Sequence, residues 1–187
     1  MIEGGDKMQK REQQEDAYIQ LARQAVEAHV RTGKLLPVPA GLPEEMYQDR
    51  AGVFVSIKED GQLRGCIGTL QAVQPSIAEE IIHNAVSSSS RDPRFPPIRS
   101  GELDRLIISV DVLGPMEEID TPDKLDVRRY GVVVSKGYRR GLLLPNLEGV
   151  DTVEAQIAIA RQKAGIGEEE KVQLERFEVI RHERGEV

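Results

Sequence analysis

A single cysteine beside an arginine and two glycines is the first candidate for chemistry. Cys66 is the only cysteine in the 187 residues, and it lies two positions after Arg64. The nucleophilic form of cysteine is the thiolate, which a nearby cation stabilises. Gly65 and Gly68 have no side chains, so another group can approach the backbone closely there. The spacing favours either a reactive thiol on a pocket floor or a cysteine that packs as a small apolar residue.

The second candidate is an arginine-rich loop stiffened by prolines, Arg91–Pro97. Two arginines around a rigid loop can hold a phosphate or a carboxylate by bidentate hydrogen bonds. The alternative is an ion pair between Asp92 and Arg94 that fixes the loop to the sheet. If the loop folds over the strand that carries the cysteine, the two segments form a cationic pocket beside a thiol. The candidate catalytic residue is Cys66, and the candidate ligand-binding residues are Arg64, Gly65, Gly68, Arg91, Asp92 and Arg94.

A thiol nucleophile also needs a base within hydrogen-bond reach, and the sequence offers three histidines. His29 lies on the apolar stripe of the first predicted helix, His83 lies near the edge of the next stripe, and His182 lies in the charged C-terminal segment. None of them is adjacent to Cys66 in sequence. No two histidines stand at i and i+4 and no HExxH motif occurs, so no metal site is predicted.

Four arginines flank a predicted hairpin in the C-terminal half. Such a basic edge can bind an acidic partner or a nucleic acid, or it can be a solvated edge that prevents strands from aggregating. The formal net charge of −7 and the absence of tryptophan argue against a protein that binds nucleic acid mainly through its phosphates. The four residues are Arg128, Arg129, Arg139 and Arg140.

The composition predicts a soluble globular protein of the cytoplasm. Hydrophobic residues make up 39% of the chain and charged residues 30%. No apolar run approaches the ~18 residues that a membrane span needs. The polar N-terminus lacks the apolar region of a secretory signal. One cysteine cannot form an intrachain disulfide.

Hydrophobic periodicity predicts the elements that must position these candidates in the N-terminal half. An apolar stripe at three- and four-residue steps predicts a helix over Tyr18–Val30, ended by Gly33. The proline-rich segment that follows should be an extended connection. Alternation predicts two strands, Ala51–Lys58 and Gln62–Leu70, joined by a tight turn into a hairpin.

A second helix should follow this hairpin. Ser76 and Glu79 form a capping box before an apolar stripe that reaches Val86. The serine run at 87–90 and the loop after it should end this helix. Alternating residues then predict a strand over Arg105–Leu113.

The C-terminal half repeats the order of hairpin and helix. Apolar runs around residues 132–134 and 141–144 predict strands that are buried on both faces. Asp151 and Glu154 open a helix that should end at Gly165, and one last strand should cover residues 172–179. Strand pairs between helices, without regular βαβ alternation, predict an α+β fold on a mostly antiparallel or mixed sheet with flanking helices.

The hexapeptide Leu63–Gly68, read as Leu-Arg-Gly-Cys-Ile-Gly, resembles the signature of the AMMECR family. The resemblance extends from about residue 15 to the end of the chain. Several separated blocks in the expected order carry it. Those further blocks are Gly52–Val55, Asp92–Pro97, Gly141–Pro145 and Lys163–Ile166.

The resemblance implies a compact α+β protein with a larger and a smaller subdomain, over residues 13–187 after a flexible segment 1–12. The family has no established activity. Its microbial members often accompany a Memo-like protein and a radical S-adenosylmethionine protein, which implies a shared pathway. Roles in nucleic-acid metabolism or regulation have been suggested. The chain departs from the family pattern at two positions. Tyr130 stands where many relatives resemble histidine, and Ala160 stands where many carry a second cysteine. These departures weaken any mechanism that uses that histidine or that second cysteine.

These observations leave three hypotheses. The first is a binding or accessory module that holds an anionic small molecule or a protein partner in a pocket between the Arg64–Cys66 strand and the Arg91–Phe95 loop. The second is an enzyme that uses Cys66 as nucleophile or thiol carrier. The third is a nucleic-acid-associated regulatory protein that uses the basic hairpin edge. The sequence identifies no cofactor.

Overall fold

The structure is a computed structural model that describes residues 15–185, so the segment 1–12 lies outside the described residues. The described chain divides into two compact units. The first runs to Val112 and resumes at Arg181, and the second is Leu113–Ile180. Helices accompany two antiparallel four-stranded sheets, which confirms the α+β class. No helix within residues 15–185 is both long and apolar enough to cross a membrane.

The first sheet has four strands, β1 (Val53–Glu59), β2 (Gln62–Gly68), β3 (Leu106–Leu113) and β8 (Val179–His182). Their order is β2-β1-β3-β8, which makes β2 an edge strand. Alternating valines and isoleucines of β1 and β3 are buried against apolar stripes of the first unit's helices. The helices of the first unit are α1 (Ala17–Thr32), α2 (Glu44–Gln48) and α3 (Ile77–Ser90), with a short 3-10 helix at Ser100–Arg105.

The predicted first helix and hairpin are present, and the residues at the ends of the helix and in the hairpin turn explain why the chain starts, ends or turns there. The Asp16 carboxylate caps α1 by accepting from the N–H groups of Tyr18 and Ile19. Gly33 ends α1 at a φ of 70°. Between β1 and β2, Asp60 and Gly61 both have positive φ, as a two-residue hairpin turn requires.

The serine run, which was expected to end the second helix together with the loop after it, instead forms the last turn of α3, and the loop ends the helix as predicted. The hydroxyls of Ser89 and Ser90 donate to the Val86 carbonyl at 2.9 and 2.8 Å, which satisfies them inside the helix. The helix ends at Arg91, one residue before the aspartate that precedes Pro93, where the proline restricts the backbone.

The second sheet contains β4 (Glu117–Ile119), β5 (Gly131–Lys136), β6 (Arg139–Leu143) and β7 (Gln173–Phe177), in the order β4-β7-β5-β6. Helix α4 (Val153–Ala164) packs on β5 and β6, and a short 3-10 helix covers Pro122–Lys124. The buried valines of β5 confirm the prediction of a strand buried on both faces, whereas β6 buries only Gly141 and Leu143, which share one face. Thr152 caps α4 and Gly165 ends it at a φ of 66°.

Three short elements differ from the sequence prediction. The proline-rich segment is irregular, as expected, but the short helix α2 follows it directly after Pro43 and was not predicted. β4, at Glu117–Ile119, was not among the predicted strands. The single last strand is two strands, β7 and β8, that belong to different sheets, because the chain breaks its pairing at Glu178.

Candidate functional site

Adjacent residues of β2 face opposite sides of the first sheet, and this alternation separates the predicted site residues. Gly65 is buried against α3, where an added Cβ would lie 2.1 Å from the Ser88 carbonyl oxygen. Cys66 faces the other side. There its Sγ lies 3.2 Å from the Oγ of Ser56, its cross-strand partner on β1. The glycine therefore lets the helix approach, and the cysteine belongs to the opposite surface.

A row of buried polar side chains on α3 binds the backbone of the hairpin of β1 and β2, and so fixes the position of the hairpin on the helix. Glu80, Asn84 and Ser88 stand four residues apart and are all buried. The Ser88 hydroxyl accepts from an N–H of β2 and donates to a carbonyl of β1, both at 2.8 Å. The Asn84 amide donates to the Val53 carbonyl at 2.9 Å. Glu80 accepts from the Thr69 hydroxyl and from two backbone N–H groups of the connection after β2.

Side chains of the Arg91–Pro97 loop close the open edge of β2 at Cys66. The Cys66 N–H donates to Asp92 Oδ2 at 2.9 Å, and its carbonyl accepts from Arg94 Nη2 at 3.2 Å. Arg94 also donates to both carboxylate oxygens of Asp92, from Nε at 2.9 Å and from Nη2 at 2.7 Å. The ion pair considered from the sequence is thus present, and it completes a strand edge that would otherwise be open to pairing.

The two members of this ion pair differ sharply in exposure. The Asp92 side chain is 2% exposed and the Arg94 side chain 54% exposed. Hydrogen bonds from Arg94 hold the pKa of Asp92 well below its usual range despite the opposing effect of burial. The same contact raises the pKa of Arg94. A buried, ionised carboxylate therefore holds a cation whose outer part faces solvent.

Arg64 fastens the far end of the loop. Its Nε donates to Glu102 Oε1 and its Nη1 to the Pro96 carbonyl, both at 2.8 Å. Its side chain is 14% exposed. The guanidinium is therefore directed at the protein itself, and Arg64 and Asp92 hold the loop against β2 from two points.

The face that carries Cys66 has a row of small polar groups. Ser56 lies between Cys66 on one side and Ser109 of β3 on the other in the strand register. All three are half-buried. Gly68 lies on the same face, and an added Cβ there would collide with the Phe54 ring at 2.3 Å. The row offers hydroxyl and thiol groups beside the exposed part of the loop.

Arg91 and the histidines occupy distinct places. Arg91 is exposed at the end of α3, and its side chain makes no hydrogen bond or ion pair within residues 15–185. His83 is exposed on α3, the helix on the Gly65 side of the sheet. His182 stacks on Tyr18 with ring centroids 3.8 Å apart, and its Nδ1 contacts an Asp16 oxygen. These two histidines therefore lie away from the face that carries Cys66.

The basic hairpin edge of the second unit is largely paired with carboxylates. Hydrogen bonds from Arg139 and Lys136 hold the pKa of Glu170 well below its usual range. Arg128 is exposed and donates only through its backbone N–H among the contacts of the described chain. The ion pairs at this edge are Arg129–Glu178, Arg139–Glu170 and Arg140–Glu175.

The residues that hold the site together, Ser56 and the polar row on α3, were not predicted from the sequence. The row on α3 carries a readable signal, since polar residues recur every four positions inside an apolar stripe. Ser56 carries none, because its pairing with Cys66 depends on the register. A shallow hollow of about 350 Å³ lies elsewhere, along the C-terminal half of α4, and no predicted site residue lines it. Within residues 15–185 no group of three or more His, Cys, Asp or Glu side chains is arranged to hold a metal ion.

Comparison with known proteins agrees with this fold. An uncharacterised protein of Pyrococcus horikoshii has a crystal structure that superposes with a TM-score of 0.81 at 35% identity, covering 88% of both chains. A protein of Thermotoga maritima is 48% identical over 170 residues, 90% of this chain and 98% of the relative. A protein of Clostridium acetobutylicum is 46% identical over 95% of this chain, which spans 38% of that longer relative. The AMMECR1 family model matches residues 19–182, and the chain belongs to this family, which has no established function.

Proposed function

We propose that this protein is a binding module that holds an anionic ligand, a small molecule or a segment of a protein partner, at the edge of β2. The ligand contacts would come from Arg94 and Arg91. The observation that carries the proposal is the Arg94 guanidinium, which Asp92 and the Cys66 carbonyl fix in place while 54% of the side chain stays exposed. An arginine held in this way loses little rotamer freedom when it binds an anion.

The surroundings support the same site. Arg91, three residues earlier, adds a second cation that makes no ion pair in the described chain. Asp92 is neutralised by Arg94, so the turn keeps a net positive charge. Arg64 acts in this proposal by holding the loop through Glu102 and Pro96. Gly65 and Gly68 act by setting the distance of the strand from its neighbours.

A module of this kind fits the pathway expected from the family resemblance, with a Memo-like protein and a radical S-adenosylmethionine protein. The longer Clostridium relative supports a module that works alongside other protein segments, because this chain corresponds to 38% of its length. The ligand would then be presented to, or received from, such a partner.

The test is thermal unfolding of the full chain with millimolar inorganic phosphate or acetate, at ionic strength held constant with chloride. Wild type and Cys66→Ser should gain stability with anion concentration, as expected for a ligand that binds the native state. Arg91→Ala should lose most of that gain. Arg31→Ala is the matched control, since Arg31 is an exposed arginine on α1. An equal gain in Arg91→Ala and wild type would contradict the proposal.

The contact between Cys66 and Ser56 favours a second candidate, an enzyme that uses Cys66 as nucleophile or thiol carrier. The rate of Cys66 alkylation against pH separates the two candidates. An apparent pKa well below ~8.5 in the folded protein, with a denatured control, would support an activated thiolate. Reaction only after unfolding would exclude this candidate and leave the binding module.

A further inference from the structure

We infer that the anion held at the β2 edge is a phosphoryl group rather than a carboxylate, and that Arg94 binds it through Nη1 alone. This inference rests on the proposed function and specifies its ligand class.

An arginine side chain has five N–H groups, and Arg94 uses three of them inside the protein. The Nε group donates to Asp92 Oδ1. The two N–H groups of Nη2 serve Asp92 Oδ2 and the Cys66 carbonyl. The two that remain are both on Nη1, which donates to no residue of the described chain.

The position of the two remaining N–H groups, both on Nη1, determines which anions Arg94 can bind with good geometry. The strong arginine–carboxylate contact is a fork of two parallel N–H groups from different nitrogens. Both nitrogens of the Nε/Nη2 fork are occupied by Asp92, and the second fork would need a free N–H on Nη2. The two N–H groups of Nη1 diverge, so a planar carboxylate can accept only one well-directed bond from Arg94.

A phosphoryl group is suited to this arrangement. It has three terminal oxygens and a charge of about −1.5 to −2 at neutral pH. One oxygen can accept from Arg94 Nη1, which leaves the others for a second cation, and Arg91 is exposed three residues earlier on the same turn. Asp92 orders this turn by accepting from the Arg94 N–H at 3.1 Å. Two cations on one turn therefore match a tetrahedral dianion better than a planar monoanion.

The end of α3 lies next to this turn, and a helix C-terminus normally disfavours anions. Here three carbonyls near the helix end accept hydrogen bonds. The Val86 carbonyl accepts from the hydroxyls of Ser89 and Ser90, the Ser87 carbonyl from the Arg91 N–H, and the Ser89 carbonyl from the Ile98 N–H. These bonds reduce the negative potential that the helix end would otherwise present to the ligand.

The experiment compares phenyl phosphate with benzoate by titration calorimetry on the full chain, at constant ionic strength and near pH 7.5. The two probes share a ring and differ in the anionic group. Phenyl phosphate should bind roughly tenfold more tightly or better, and Arg91→Ala should remove most of that preference. Arg31→Ala should leave both affinities unchanged.

A second variant examines the donor count itself. Asp92→Asn removes the carboxylate that occupies the Nε/Nη2 fork, so benzoate affinity should rise relative to phenyl phosphate. Equal binding of the two probes by wild type would overturn the phosphoryl inference and leave the anion-binding module intact. Binding of neither probe would overturn the proposed function, and the inference with it.

Discussion

The two units share one local design, in which an antiparallel hairpin packs closely against a helix at a glycine that has no side chain to keep them apart. In the first unit Gly65 of β2 lies under the Ser88 carbonyl of α3, and in the second Gly141 of β6 lies under the Ala160 carbonyl of α4. An added Cβ would lie 2.1 and 2.0 Å from those oxygens. The same steric device thus sets the distance between helix and strand in both units.

The regions differ in their polar contacts. α3 uses buried Glu80, Asn84 and Ser88 to bind the backbone of its hairpin or the connection after it. In α4 the buried polar side chain is Gln156, which donates to the Tyr130 carbonyl and whose Oε1 has no partner within residues 15–185. Buried, satisfied polar networks specify one arrangement, so the first hairpin is the better platform for a binding site.

Adding a methyl group at either close-approach glycine tests the shared steric device. Gly65→Ala and Gly141→Ala should each reduce the free energy of unfolding by about 3 kcal/mol, because a methyl group must displace a helix backbone. Urea unfolding measures this difference. Gly101→Ala is the control, since no atom lies within 4 Å of its added Cβ, and it should change stability by less than about 1 kcal/mol. A Gly65→Ala protein as stable as wild type would refute the close approach.

The next effect tests the polar difference between the helices. Glu80→Gln should cost about 2 kcal/mol, since an amide cannot accept all three hydrogen bonds that the carboxylate accepts. Gln156→Met should cost about 1 kcal/mol or less, because it removes one hydrogen bond together with an oxygen that lacks a partner in the described chain. Equilibrium unfolding measures both losses of stability. A larger loss for Gln156→Met than for Glu80→Gln would contradict the proposed difference between the two helices.

A third effect depends on pH and concerns Asp92. Its pKa is lowered in the folded protein, so its contribution is complete above the unfolded pKa of about 4 and declines as pH falls toward the folded pKa. Asp92→Asn should cost about 1–2 kcal/mol at neutral pH, a value reduced because Arg94 is half exposed. The difference from wild type should shrink in acid. A difference that is constant from neutral pH to about pH 3 would contradict the assignment.

The smallest effect belongs to the basic edge of the second unit. Arg140 pairs with Glu175 at 2.8 Å on a partly exposed surface. Arg140→Ala should change stability by less than about 1 kcal/mol, and added salt should reduce even that. A loss as large as that of Asp92→Asn would mean that this edge is a structural network comparable to the loop at β2.

Much of the fold follows from local signals in the sequence. Apolar stripes and caps predicted α1, α3 and α4, and alternation predicted the hairpin of β1 and β2. The predicted end of α3 was too early, because the serine hydroxyls donate to a carbonyl of the helix and the helix continues through the serine run. β7 and β8 were merged because apolar residues recur through both strands, and their spacing does not record a change of sheet.

The candidate site was predictable in its residues but not in its bonding. Sequence spacing brought Arg64, Cys66 and Arg94 into consideration together. Which arginine faces solvent depends on Glu102 and Asp92, and neither contact can be read from spacing. The register of β1 and β2 shifts between Ile57 and Lys58, so the pairing of Ser56 with Cys66 could not be predicted by counting residues from the turn.

We expect an anion to bind where the loop closes the edge of β2. The decisive experiment is an NMR titration of the uniformly ¹⁵N-labelled full chain with inorganic phosphate, with the backbone amide of Cys66 as reporter because it donates to Asp92. We expect saturable shifts of the Cys66 and Arg94 amides, and Arg91→Ala should greatly weaken them. Shifts confined to the hairpin of β5 and β6, or no saturable shifts, would contradict it.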